Sequence, residues 1–263
     1  EKLKLNTIYC MDNVQGLREH VPDESIDLTV TSPPYDNLRT YNGFSFDFES
    51  LAHELYRVTK PGGIVVWVVG DATINGSETG TSFRQALYFK DEVGFRLHDT
   101  MIYQKKNPVP LPSNRYNPCF EYMFVLSKGK PKTFNPIRVS SKMGGSVDKR
   151  RAMRNPDGTL RPYRGYNKTI NKTKIKGNIW EYAIGYNVST KDSIAFKHPA
   201  IFPEQLAEDH IKSWSNPGDL VLDPFMGSGT VAKMAKINNR NYIGFEISQE
   251  YIEIAESRLK FAT

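Results

Sequence analysis

Six consecutive residues, Ile64 to Val69 ("IVVWVV"), are apolar without a break. A strand with one wetted face alternates polar and apolar side chains, so an unbroken run of this length fits a strand covered on both faces, as at the centre of a parallel sheet. The segments Leu5 to Cys10, Ile26 to Thr31, Phe95 to Gln104, Glu121 to Leu126, Leu220 to Leu222 and Tyr242 to Phe245 also read as strands. Helical patterns fill the intervals: Asp12 to His20, Phe48 to Val58, Ser82 to Val93, Pro203 to Trp214, Thr230 to Ile237 and Gln249 to Leu259. Lys60-Pro61-Gly62-Gly63 reads as a stop and turn. Strands alternating with helices predict an α/β fold with a mostly parallel sheet covered on both sides, and 263 residues with 39% hydrophobic content can bury such a core.

Charge divides the chain. From Ser127 to Lys197 there are 17 Lys+Arg against 4 Asp+Glu, a balance of +13, whereas the remainder holds 18 against 25, a balance of −7. Seven aromatics and seven glycines are interleaved with the basic residues, the composition of a surface that follows a polyanion. Disordered tails carry few aromatics, so a purely solvated loop is the weaker reading. Residues 127–197 are therefore expected to form a nucleic-acid-binding region between the segments 1–126 and 198–263.

Cys10 and Cys119 are too few for a disulfide framework and lack metal-ligand spacing, which predicts apolar filler positions and no metal. No apolar run reaches the ~18 residues that span a bilayer, and no signal peptide is evident, so a soluble, cytoplasmic protein is expected.

Two stretches carry chemistry. In "LVLDPFMGSGT", Leu220 to Thr230, an apolar strand ends in Asp223-Pro224, and Gly227-Ser228-Gly229 opens a helix. Glycines let a ligand approach the backbone, and the helix start offers free N–H groups. The loop lacks the Gly-Lys-Ser/Thr of a phosphate-gripping P-loop. Glu246 ends the next strand about 20 residues later, the place where a ribose diol is commonly held. In the second stretch, the strand Ile26 to Thr31 stops at Ser32-Pro33-Pro34-Tyr35, where two prolines lock φ and remove two backbone donors.

"TSPPY", "DPFMGSGT" and "YIGFEISQEYIEIAESRL" together resemble the amino-methylating DNA methyltransferases that use S-adenosylmethionine, in the circularly permuted order called the β class. The resemblance implies a Rossmann-like, mostly parallel seven-stranded sheet of the class I methyltransferase type, with an inserted target-recognition region. It implies cofactor contacts from Asp12, Thr31, His198, Phe202, Asp223, Pro224, Phe225, Gly227, Ser228, Gly229, Thr230, Glu246 and Ile247. Many members carry lysine where Phe202 stands, so a side-chain salt bridge to the cofactor carboxylate is not expected from that position. The catalytic group implied is Ser32, Pro33, Pro34 and Tyr35: two oxygens to accept the hydrogens of a nucleobase amino group, prolines to aim the carbonyl, and an aromatic face for a flipped base. Ser at the first position points to cytosine N4, with adenine N6 as the alternative. An RNA methyltransferase and a non-catalytic DNA-binding module are weaker readings. Pro118-Cys119 resembles the nucleophile of carbon-5 cytosine methylation, but it precedes the cofactor loop and is followed by Phe, so Cys119 is read as core. Double-stranded DNA is the expected partner, through Arg138, Arg150, Arg151, Arg154, Arg161 and Arg164. A cognate restriction endonuclease is a possible companion, in a prokaryotic cell or encoded by a phage.

Overall fold

The run Ile64 to Val69 lies inside an eight-stranded sheet, with each of its six residues at most 1% exposed. The fold is given by a computed structural model that describes residues 3–34, 46–108, 110, 114–185, 188–197 and 203–262. In chain order the elements begin with β1 Thr7–Cys10, α1 Asn13–His20, β2 Ile26–Thr31, α2 Phe48–Val58 and β3 Thr59–Val69. Next come a small hairpin of β4 Thr73–Ile74 and β5 Ser77–Glu78, then α3 Thr81–Tyr88, β6 Arg96–Lys105 and β7 Phe120–Ser127. Four short strands follow, β8 Arg138–Ser140, β9 Ala152–Arg154, β10 Leu160–Pro162 and β11 Thr173–Ile175. The last elements are β12 Ile179–Tyr182, α4 Glu204–Trp214, β13 Leu220–Asp223, α5 Thr230–Ile237, β14 Asn241–Glu246 and α6 Gln249–Lys260.

The large sheet has the order β1-β14-β13-β2-β3-β7-β6-β12, and β7 alone runs against its neighbours. The sheet is mostly parallel as expected, but it has eight strands where seven were expected. The added strand is β12, parallel to β6 at the edge, with Trp180 and Tyr182 turned inward and Ile179 and Glu181 exposed. Burial of two aromatics and a 2.6 Å hydrogen bond from the Tyr182 hydroxyl to Asp209 hold it there. Its period-2 pattern is only four residues long and sits inside a stretch whose basic charge suggested surface.

Lys60-Pro61-Gly62-Gly63 does not end an element. It lies within β3, where the register with β2 jumps from the Ile26–Thr59 pair to the Leu28–Ile64 pair. Proline offers no N–H to a ladder, and Gly62 has φ +80°, so these residues leave regular pairing as a bulge. The strand re-enters the sheet at Ile64.

Helices cover both faces. Leu17 of α1, Leu51 and Leu55 of α2 and Ala86 of α3 pack with Val65, Trp67 and Val69 from one face. From the other face, Met123 of β7 meets the buried His210 of α4 through its sulfur at 3.1 Å. Burial pushes the His210 imidazole down to about 3, and it accepts from the Trp214 indole N–H at 3.2 Å, so it is a neutral core residue. Neither cysteine is a buried filler, contrary to expectation: Cys10, closing the edge strand β1, is exposed, and Cys119, just before β7, is half-buried. Strand ends at a sheet margin escape the cover of the helices.

The chain divides into two units, residues 1–135 with 178–263, and Pro136–Gly177. The second is narrower than the expected 127–197. It consists of the β8–β11 and β9–β10 antiparallel pairs and a bridge between Val147 and Thr169. Among the described residues no helix is long and apolar enough to cross a membrane.

Candidate functional site

Two neighbouring parallel strands at the middle of the sheet send the chain in opposite directions. After β13 it crosses by α5 to β14 on one side; after β2 it crosses by α2 to β3 on the other. The carboxyl ends of such a pair open a crevice, which is where open α/β sheets bind ligands. The residues that end these strands are Thr31 and Asp223, and the Thr31 hydroxyl donates to the Asp223 carboxylate at 2.6 Å. Both are buried. Burial raises the Asp223 pKa to about 7, against the lowering effect of its bonds from Thr31 and from the Phe225 N–H at 2.9 Å; the nearby Glu246 charge also raises it.

The glycine loop curls over the next strand end. Glu246 closes β14 and accepts from the Gly227 N–H at 2.8 Å and the Ser248 N–H at 2.9 Å. Burial pushes its pKa up too, while those N–H groups pull it down. Gly227 and Gly229 have φ of +51° and +80°, a backbone that L side chains rarely adopt. A Cβ on Gly229 would stand 2.7 Å from that of Ala255, so this glycine also lets α5 approach α6. A buried carboxyl and a half-buried one at adjacent strand ends, with a glycine backbone beside them, suit a ligand that carries positive charge and hydroxyls.

Ser32-Pro33-Pro34 leaves β2 directly after Thr31. Ser32 is half-buried and Pro33 buried. One peptide bond thus separates Ser32 from the residue that touches Asp223, and the two chemical stretches, almost 200 residues apart in sequence, share one crevice. Pro224 and Phe225 continue from Asp223; the Pro224 carbonyl accepts from the Asn13 side chain at 3.1 Å. Asp12 is exposed and caps α1, accepting from the Gln15 N–H at 2.9 Å, and Ile247 is 40% exposed just beyond Glu246. Ser228 and Thr230 are buried and accept from Arg258. Tyr35, His198 and Phe202 lie outside the described residues.

Two contributors went unnoticed in the sequence. Asn13 is buried, and among the described residues its Oδ1 has no hydrogen-bond partner; only its position beside Asp12 hints at a role. Arg258 lies at the far end of α6 with a side chain fully withdrawn from solvent. Nothing in an amphipathic helix distinguishes such an arginine from a surface one. Among the described residues no cluster of His, Cys, Asp and Glu could hold a metal ion.

Within the second unit all six arginines singled out are exposed. They are not equivalent. Arg150 grips Asp148 through Nε and Nη2 and donates to the Tyr163 hydroxyl at 2.9 Å, its guanidinium 4.5 Å from the Tyr163 ring centre. Arg138 donates to Thr173 at 3.0 Å, and Arg154 to the Gly158 carbonyl at 3.0 Å. Arg151 stands over Tyr166 at 5.8 Å. The unit holds 12 Lys+Arg against 2 Asp, a balance of +10, and a concavity of about 390 Å³ lined by Arg138, Arg150, Tyr163, Lys168 and Lys174 among others.

Comparison with known proteins gives a consistent picture. A family model described as DNA methylase matches residues 26–257. The orphan methyltransferase M.BamHII of Bacillus amyloliquefaciens is 59% identical over 246 residues, covering 93% of this chain and 92% of that protein. Among solved structures, the PvuII DNA methyltransferase (cytosine-N4-specific) superposes with a TM-score of 0.69 at 22% identity, over 97% of this chain and 86% of its own. An M1.HpyAVI–SAM complex superposes with a TM-score of 0.61 at 25% identity, over 96% and 99%.

Proposed function

The chain belongs to the DNA methylase family, and on that premise we propose that it transfers a methyl group to the exocyclic N4 amino group of a cytosine flipped out of duplex DNA. Its methyl donor is S-adenosylmethionine, which supplies an electrophilic methyl on a sulfonium. The residues at the crevice fit that group. The Asp223 carboxylate offers negative charge to the cationic methionine end, Gly227 to Gly229 admit that end to the backbone, and Glu246 offers acceptors for the ribose hydroxyls.

The amino nitrogen of cytosine is a poor nucleophile because its lone pair is delocalised into the ring. As it attacks, its geometry moves toward tetrahedral and its hydrogens become more acidic. The Ser32 oxygen and the Pro33 carbonyl accept hydrogen bonds from them, which stabilises the positive charge that develops on the nitrogen, and one amino proton is released to solvent to leave the neutral N-methyl product. The prolines fix the direction of the carbonyl, and Tyr35 supplies a face for the extruded base. No covalent enzyme intermediate is needed, so Cys119 has no part in the reaction. The hydroxyl at Ser32 supports cytosine over adenine as the target.

The observation that carries this reading is the Thr31–Asp223 hydrogen bond, because it joins the strand end bearing the Ser-Pro-Pro segment to the strand end bearing the glycine loop. The chain order, with Ser-Pro-Pro first, the basic unit between and the glycine loop last, supports the circularly permuted β-class arrangement. Residues 136–177 are then the target-recognition region, their exposed arginines meeting phosphates and base edges. Incubation with duplex DNA and methyl-labelled S-adenosylmethionine tests the reading: label in DNA supports it. Label in RNA but not DNA, or in neither, contradicts it.

A further inference from the structure

We propose that Arg258 is a positioning residue for the methionine end of the cofactor, acting through the glycine loop. The inference rests on the reading of that loop as the cofactor seat. The Arg258 side chain is 0% exposed, and its guanidinium spends its donors in two directions. Toward the loop, Nη1 donates to the Ser228 carbonyl at 2.7 Å, the Ser228 hydroxyl at 3.0 Å and the Thr230 hydroxyl at 3.1 Å. Away from it, Nη2 donates to Glu204 at 2.7 Å and Nε to Asp192 at 3.0 Å.

A second cation closes the cluster. Lys233, on α5 just beyond the loop, donates to the same Asp192 and Glu204 oxygens at 2.7 Å each, and the Thr190 hydroxyl adds a bond to Glu204 at 2.6 Å. Two cations and two carboxylates balance, so the burial of Arg258 is compensated. Neither cation is left over as a counter-ion for a cofactor carboxylate. The cluster's function is therefore geometric. It fixes the Ser228 carbonyl and both loop hydroxyls, and so determines how the loop N–H groups are presented. Asp192 and Glu204 also bracket, in sequence, residues 198–202, where the resemblance places two implied cofactor contacts, His198 and Phe202. One arginine thus ties the loop to both flanks of that stretch. The planar fork matters: a lysine keeps the charge but offers a single nitrogen, which cannot serve the loop and both acids at once.

The test is calorimetric titration of S-adenosylmethionine into wild type, Arg258→Lys and Glu204→Gln, with steady-state KM for cofactor and for DNA measured on the same preparations. Circular dichroism and thermal melts establish which variants are folded. Arg258→Lys should weaken cofactor affinity by about tenfold or more, the scale of one charge-assisted hydrogen bond, with KM for DNA within about twofold of wild type. Glu204→Gln, which lies off the loop, should weaken it several-fold, and it decides the matter if Arg258→Lys does not fold. Folded variants that bind cofactor like wild type, or that lose affinity for DNA and cofactor alike, would overturn the role of Arg258 while leaving the functional reading standing. Wild-type protein that binds no S-adenosylmethionine would overturn both.

Discussion

The hydroxyl of Thr31 and the carboxylate of Asp223 stand 2.6 Å apart although 192 positions separate them in the chain. They close the site at the point where the strand order reverses, and the low polarity there makes the charge of Asp223 sensitive to pH. Burial lifts its pKa from 3.8 to about 7. A cationic cofactor favours the ionised form, so binding below pH 7 must expel a proton. Cofactor affinity should rise with pH and level off above about 7. In the free protein the sign is opposite: a raised carboxyl pKa gives stability that is full below pH 3.8 and is lost as pH rises through about 7. Asp223→Asn should flatten both profiles, measured by titration calorimetry and by thermal melts. A wild-type affinity independent of pH between 5 and 8 would remove Asp223 from the cofactor contact.

Ser32 follows Thr31 directly and is the expected acceptor for one amino hydrogen. Ser32→Ala should lower methyl transfer by roughly two to three powers of ten, the scale of one transition-state hydrogen bond, with cofactor affinity nearly unchanged. Wild-type turnover in this variant would exclude Ser32 from the chemistry.

Gly229 combines φ +80° with a 2.7 Å approach to Ala255. Gly229→Ala adds backbone strain and an overlap with the α6 backbone, for a cost of about 1–3 kcal/mol. Its melting temperature should fall and its cofactor KM should rise together. Unchanged stability would show that the loop yields freely.

Arg150 is committed to Asp148, whose carboxyl it holds well below the usual range. Removing it would unsettle the second unit itself. Arg151 and Arg164 are exposed and have no carboxylate anchor among the described residues, so Arg151→Ala with Arg164→Ala tests DNA binding more cleanly. Affinity should weaken, and the salt dependence should flatten by about one unit of slope for each phosphate that is no longer neutralised. Wild-type affinity and slope would show that this face does not meet DNA.

Most elements were legible because their signals are local. Phe48–Val58 and Thr230–Ile237 form helices over the residues read from periodicity, and Ile26–Thr31 a strand. The crevice was legible because acid, proline and glycine at a strand end have few other uses. What escaped depends on distant partners. The strand Ile179–Tyr182 exists because β6 offers it an edge and Asp209 a hydrogen bond. Lys60 to Gly63 reads as a turn, yet β2 and β3 continue past it. Arg258 is a surface-type residue by composition, buried only because Asp192, Glu204 and the loop surround it.

Nucleoside mass analysis of duplex DNA treated with the protein and S-adenosylmethionine reads out the target atom itself. A neutral hydroxyl at Ser32 beside the Pro33 carbonyl should suffice to engage a cytosine amino group, and the digest should contain N4-methylcytosine. N6-methyladenine alone would contradict the cytosine assignment while keeping the flipping mechanism. 5-Methylcytosine would contradict the mechanism itself and return Cys119 to consideration as a nucleophile.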